Sequence, residues 1–414
     1  MNAFPVLRGE LHVERVPLTT IAERFGTPCY VYSRAALEAS YDAFAAAFAG
    51  IPHLVCYAMK ANSNLAILNL LARRGAGFDI VSGGELARVI AAGGDPAKTV
   101  FSGVGKSAAE MEVALAAGIR CFNVESAAEL EVLDAVAGHA GKRAPISIRV
   151  NPDVDPKTHP YIATGLKESK FGVAYSEAPA LYKHAASLRH IDVQGFDCHI
   201  GSQITDLAVY VESARKMFAL VDAIEAAGVA LRHIDLGGGI GIRYGNEATI
   251  DPDAYARALR ELRGERRHEL VFEPGRFLVG EAGLLLTRVL YLKPGESRDF
   301  AIVDAAMNDL LRPALYAAWH PVEPVRPRAG AARRWQIVGP VCESGDFLAH
   351  DRELALATGD LLVLRAAGAY GFVMSSNYNS RPRACEVIVD GEQMHLARPR
   401  ERIADLFAHE STLP

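Results

Sequence analysis

The chain is poor in cysteine and lacks any pattern that would tie its cysteines together. Six in 414 residues, at 29, 56, 121, 198, 342 and 385, are too few for a disulfide framework. No C-x-x-C pair occurs, which excludes zinc ribbons and thioredoxin-type motifs, and no metal site is assigned. An excess of basic charge is also missing. The 44 Lys and Arg against 49 Asp and Glu give a net charge of −5, so there is no general basic footprint for a nucleic-acid backbone. The longest uncharged run, Ala43 to Met59, is broken by Gly50, Pro52 and His53, and no membrane span is expected. Arg8, Glu10 and Glu14 interrupt the opening MNAFPVLRGELHVERV, so no signal peptide is expected there. Neither GxxxxGK[ST] nor a strand followed by GxGxxG is found, which argues against a P-loop and a dinucleotide site. A cytoplasmic, non-membrane protein is the expectation.

What is present is an ordinary composition, 50% hydrophobic and 22% charged, at a length that predicts two domains. From about residue 54, short apolar runs alternate with amphipathic segments. The strand-like runs are LVCYAM (54–59), FDIV (78–81), TVFS (99–102), RCFNV (120–124), ISIRV (146–150), VQGFDCH (193–199), RHIDL (232–236) and ELVFE (269–273). The intervening helical segments mostly end in Gly, and several begin at Ser or Asn, the usual stop and start signals. Such alternation means parallel strands with helical crossovers. Eight units suit a (β/α)8 TIM-like barrel of ~250 residues; a doubly wound sheet competes, and the count favours the barrel. After about residue 280, strands separated by Gly, Pro and Asp turns predict an antiparallel β domain. The first 30 residues read as strand and turn and join it. The Pro- and Arg-rich stretch at 321–335 reads as a surface loop.

In a barrel enzyme the reactive groups sit at the C-terminal ends of the strands, with phosphate often bound after strands 7 and 8. The first strand ends at Lys60, where a lysine either snorkels to solvent or forms a Schiff base with a carbonyl cofactor. The sixth ends at His199-Ile200-Gly201-Ser202, suited to a flat ligand on the imidazole and a phosphate near the hydroxyl; a hydrogen-bonded core histidine is the alternative. The seventh ends in Gly237-Gly238-Gly239, whose backbone N–H groups can approach an anion, although a glycine run alone is often just a tight turn. The eighth ends in Glu273-Pro274-Gly275-Arg276. Here the carboxylate either bridges Arg276 or faces a heteroaromatic nitrogen. Taken together, a lysine, a glycine loop, a glutamate and a histidine specify pyridoxal phosphate.

YAMKAN, GFDIVSGGEL, HIGSQ, DLGGGIG, EPGR and CESGD occur in this order. Through them, residues from about 25 to 390 resemble the barrel-type pyridoxal-phosphate decarboxylases, in particular the branch acting on diaminopimelate. The resemblance implies a cofactor-binding barrel over 34–280 and a β domain built from 1–33 and 281–414. It implies that Lys60 holds the cofactor aldehyde, His199 the ring face and Glu273 the pyridine nitrogen. Ser202, Gly237, Gly238, Gly239, Gly275 and Arg276 would hold the phosphate, with Tyr370 nearby. Arg312 and Tyr316, assisted by Arg276 and Tyr370, would bind substrate. The family's active site lies at a homodimer interface, where Cys342, as proton donor, and Glu343 would come from the partner subunit. An arginine-rich pocket suits a substrate whose far end carries both amine and carboxylate. Decarboxylation of meso-diaminopimelate to L-lysine and CO2, the last step of lysine biosynthesis, is the implied activity. The rivals are a sister decarboxylase of another basic or D-amino acid, a racemase on the same barrel, and a non-catalytic binding protein. Glu273 argues against the racemase, which places arginine at the ring nitrogen; Lys60 and Cys342 argue against the binding protein, which would lose them.

Overall fold

The structure, a computed structural model, describes residues 3–154 and 170–414. The chain divides into two compact units, one of Ser40–Ile242 with Ala248–Phe277, the other of Met1–Ala39, Arg243–Glu247 and Leu278–Pro414.

The first unit is a closed parallel barrel. Its strands are β1 (His53–Ala58), β2 (Gly77–Ile80), β3 (Thr99–Phe101), β4 (Cys121–Val124), β5 (Ala144–Asn151), β6 (Ile191–Asp197), β7 (His233–Asp235) and β8 (Glu269–Phe272). Neighbours in sequence pair in parallel, and β8 pairs with β1 through Leu270 and His53, which closes the ring. The count of eight therefore selects the barrel over the open sheet. Closure gives each of these eight strands a partner on both sides. Small and branched side chains, Cys56, Val100, Cys121 and Val271, cluster in its core.

The crossovers form where the local chemistry dictates. Asn64, Ser82, Ser107 and Ser126 each cap a helix by accepting a hydrogen bond from a backbone N–H of its first turn. Ser107 and Glu110 complete a capping box. Gly118 follows the helix Ala108–Ala117 in the left-handed region, at φ 72°, where any other residue would be strained. After β7 no helix begins until Pro252, so the Gly237–Gly239 turn opens into a loop rather than a helix terminus.

The second unit is a mostly antiparallel sheet in the order Phe347–Leu354, Arg333–Val338, Asp299–Val303, Gly283–Lys293, Cys29–Ser33, Cys385–Asp390, Gln393–Arg398. The N-terminal strand Cys29–Ser33 lies inside it, as expected for a domain assembled from both chain ends. Two pairings are parallel, Cys29–Ser33 with Cys385–Asp390 and Asp299–Val303 with Arg333–Val338. In each pair the connection is long, so no hairpin forces the strands antiparallel.

Two local expectations change. The first 30 residues contain a helix, Leu18–Phe25, because Leu18, Ile21 and Ala22 fall on one face and bury it. The 321–335 stretch is a loop only in its middle: Val322–Pro324 pairs with Leu361–Leu364, and Arg333–Val338 is a sheet strand. Its arginines bind carboxylates, Arg326 to Glu10 and Arg328 to Asp360. Among the described residues no helix is long and apolar enough to cross a membrane.

Candidate active site

The barrel brings Lys60, His199, Ser202, the glycine turn, Glu273, Gly275 and Arg276 to the C-terminal ends of its strands. Lys60 lies one turn past β1 with a side chain about one-third exposed, and its ammonium pairs with the fully buried carboxylate of Asp79 on β2. A snorkelling lysine would not keep a buried partner. Its exposure leaves it reachable. Lys106, by contrast, is buried and donates to Gly103 O, Asn123 O and Glu129 Oε1, each at 2.7 Å, which is a structural role.

His199 is neutral. Burial, with Arg149 and Lys60 close by, holds its pKa well below the ordinary imidazole value. Its Nδ1 accepts the Gly238 N–H at 3.1 Å, so the ring proton is on Nε2.

The glycines are required first by packing. A Cβ on Gly238 would lie 1.9 Å from the Glu273 carbonyl oxygen, and one on Gly239 would lie 2.0 Å from the Gly201 carbonyl oxygen. Gly237 sits at φ 67°, and a Cβ there would lie 2.4 Å from the Cys198 carbonyl oxygen. Two of the expected anion donors are already engaged, Gly237 N–H by Asp235 Oδ1 at 2.8 Å and Gly238 N–H by His199. The N–H groups of Gly239 and Gly275 find no acceptor among the described residues. Beside them the Nη2 of the buried Arg276 donates to Ser202 Oγ at 3.2 Å. Gly238→Ala should therefore destabilise the protein by about 3 kcal/mol or more, a backbone collision having no side chain to yield. A denaturant midpoint equal to wild type would show that the Glu273 turn is not held against Gly238.

Glu273 does not act as a simple bridge to Arg276. Its Oε1 accepts from Asn123 Nδ2 at 3.3 Å and Ser102 Oγ at 3.5 Å. Carboxylate oxygens of Asp197, Asp235 and Glu273 lie within 4.8 Å of one another, all buried. Burial first, and the neighbouring acids next, hold Glu273 and Asp235 well above the usual carboxylate range, and burial pushes Asp197 up to about 7. Such crowding favours the protonated acids over the ionised ones. Asp79, Asp197 and Asp235 were not singled out in the sequence; the signal was an acid at or next to the end of an apolar strand, as in FDI, GFD and HID.

The remaining candidates belong to the second unit. Arg312 and Tyr316 begin and end the short helix Arg312–Tyr316. Cys342 and Glu343 are exposed, and the Cys342 N–H donates to Asn379 Oδ1 at 2.7 Å. Tyr370 and Asn379 take left-handed backbone conformations, at φ 55° and 57°, a strain that side-chain-bearing residues adopt mainly at turns and functional sites.

A protonated carboxyl, a neutral imidazole, a reachable amine and an arginine beside unsatisfied N–H groups suit a pyridine ring, an aldehyde and a phosphate. The barrel is of the pyridoxal-binding class: the model of the pyridoxal-binding domain of pyridoxal-dependent decarboxylases matches residues 34–280. Diaminopimelate decarboxylase of Pseudomonas aeruginosa is 62% identical over all 414 residues, covering 100% of both chains. Diaminopimelate decarboxylase of Helicobacter pylori, solved in complex with L-lysine, is 42% identical, covers 95% of this chain and 99% of its own, and superposes with a TM-score of 0.92. That of M. jannaschii, also solved with L-lysine, is 36% identical over 100% of this chain and 98% of its own, with a TM-score of 0.95. This chain belongs to the diaminopimelate decarboxylase family.

Proposed function

We propose that the protein is a pyridoxal-phosphate-dependent carboxy-lyase that converts meso-2,6-diaminopimelate to L-lysine and CO2, the closing step of lysine synthesis. The observation that carries this reading is that Lys60, paired with buried Asp79, lies within electrostatic reach of Glu273, itself one of three clustered buried acids. Lys60 would hold the cofactor aldehyde, His199 the ring face and Glu273 the ring nitrogen. Ser202, the Gly237–Gly239 turn, Gly275 and Arg276 would hold the phosphate, with Tyr370 beside them. When bound, the cofactor supplies an electron sink for the bond to the departing carboxylate.

The chain's own residues do the rest. Glu273 holds a proton that it would give to the ring nitrogen of the bound cofactor, and its carboxylate would then serve as the counter-ion. Neutral His199 adds no charge to the ring face. Arg312 forks onto the far carboxylate of the substrate, with Tyr316, Arg276 and Tyr370 helping to bind it, and Glu343 takes the far amine. Cys342 delivers a proton from Sγ to the carbon that has lost CO2. Exposure of Cys342 and Glu343 in the single chain supports a homodimer whose active sites are completed by the partner subunit. Six unpaired thiols support a reducing cytoplasm. We assign the cofactor to a barrel domain over residues 34–280, with 1–33 and 281–414 as the β domain.

CO2 release from meso-diaminopimelate, measured beside lysine, ornithine and arginine, tests the reading; comparable rates on all four would refute it. Arg312→Ala should lower kcat/KM for diaminopimelate by about 100-fold and barely change the slow reaction with lysine or ornithine. Equal losses would remove Arg312 as the specificity residue.

A further inference from the structure

We propose that His320 and Tyr244 are positioning residues that orient the guanidinium of Arg312 and thereby set specificity for a substrate with a carboxylate at its far end. This rests on the reading of Arg312 given above. All three side chains belong to the same compact unit. Arg312 is only 6% exposed, so its protein neighbours rather than water decide how the guanidinium lies. Its Nη1 donates to His320 Nε2 at 2.9 Å. Arginine has no acceptor, so Nε2 is the unprotonated ring nitrogen. The ring proton is then on Nδ1, which donates to the Arg365 carbonyl at 2.8 Å.

The imidazole is held firmly in turn. The His320 carbonyl accepts from Arg352 Nη2 at 3.1 Å, and the Pro321 carbonyl accepts from the Arg365 N–H at 2.9 Å. Tyr244 supplies the second restraint. Its ring centre lies 4.7 Å from Arg312 Cζ, a cation–π distance, and the ring stands edge-on to His320 at 5.2 Å. One in-plane donor fixed by an imidazole, and one neighbour at the ring face, together set the plane of the guanidinium. The direction of its other in-plane N–H groups follows.

The partner's charge matters as well. A carboxylate in place of His320 would pair with the cation and compete with the carboxylate of the substrate. A neutral imidazole accepts one hydrogen bond without bringing a negative charge of its own.

The test compares two ligands of the holoenzyme: L-lysine, which keeps the far carboxylate, and cadaverine, the same diamine without it. His320→Ala should weaken L-lysine binding about 10- to 100-fold while leaving cadaverine within about twofold. The KM for diaminopimelate should rise far more than kcat falls, and the cofactor absorbance should not change. His320→Gln, whose Oε1 can accept where Nε2 did, should restore most of the affinity. Tyr244→Leu should lose part of it and Tyr244→Phe none, a comparison that stands even if His320→Ala does not fold. Equal losses for the two ligands, no loss for either, or a glutamine variant no better than alanine would overturn the proposal. Arg312→Ala separates the two levels. If it leaves the difference between L-lysine and cadaverine intact, the reading of Arg312 itself fails; if it erases that difference while His320→Ala does not, only the positioning role fails.

Discussion

Lys60→Ala should abolish sustained turnover, lowering kcat by about 10,000-fold or more. The reason is that Lys106 is no substitute. Lys60 is reachable at the barrel mouth, whereas Lys106 is buried and fully hydrogen-bonded. Alanine would also leave Asp79 buried without its cation, so some stability should be lost with the activity. Lys60→Arg separates the two effects, because it keeps a cation for Asp79 but offers no amine able to hold an aldehyde. Borohydride treatment should fix the cofactor covalently to the wild type and to neither variant, as read by intact mass. Many turnovers by Lys60→Ala without an added amine would show that the lysine is not the covalent residue. A wild type that takes up no cofactor would favour a binding protein over an enzyme.

Glu273→Gln should lower kcat by about 100- to 1,000-fold and, at the same time, make the cofactor-free protein more stable. The two effects share one origin. Glutamine keeps the shape and the Asn123 and Ser102 contacts but can neither give up a proton nor carry a charge. It also removes one acid from a buried cluster in which Asp235 and Asp197 are held above their ordinary pKa. With fewer acids in contact, the remaining ones ionise at less cost. The sign follows from linkage. An acid whose folded pKa is raised binds more protons folded than unfolded, so it weakens stability as pH rises through that window. For Asp197 the window runs from the ordinary carboxylate range up to about 7. The wild-type stability deficit near neutrality, relative to mildly acid pH, should therefore shrink in Glu273→Gln. A variant with kcat within about threefold of wild type would remove Glu273 from the ring-nitrogen role.

Much of the barrel unit was legible in the sequence because its signals are local. Each apolar run from LVCYAM to ELVFE becomes a strand displaced by no more than a residue or two. Strand ends in a barrel all face one rim, so reading them in order also finds Lys60, His199, Glu273 and the glycine turn. The acid cluster escaped because Asp79, Asp197 and Asp235 each look, alone, like an ordinary polar break after an apolar run. Only closure of the sheet brings Asp197 and Asp235 together with Glu273 and puts Asp79 within electrostatic reach of them. His320 and Tyr244 escaped for a related reason. Seventy-six residues separate them in sequence, and neither belongs to a motif. The helix Leu18–Phe25 was missed because its apolar face is short and sits between two strands.

The sequence by itself determined the alternation of strand and helix, the caps and the left-handed turns, because these depend on neighbours within a few residues. It also determined the chemistry carried at each strand end. Tertiary structure alone decided three things: that eight strands close, that three acids crowd together at their ends, and that an imidazole rather than a carboxylate faces Arg312. All three depend on burial and on long-range contact. Burial is what turns an ordinary aspartate into a proton reservoir and an ordinary histidine into a fixed acceptor.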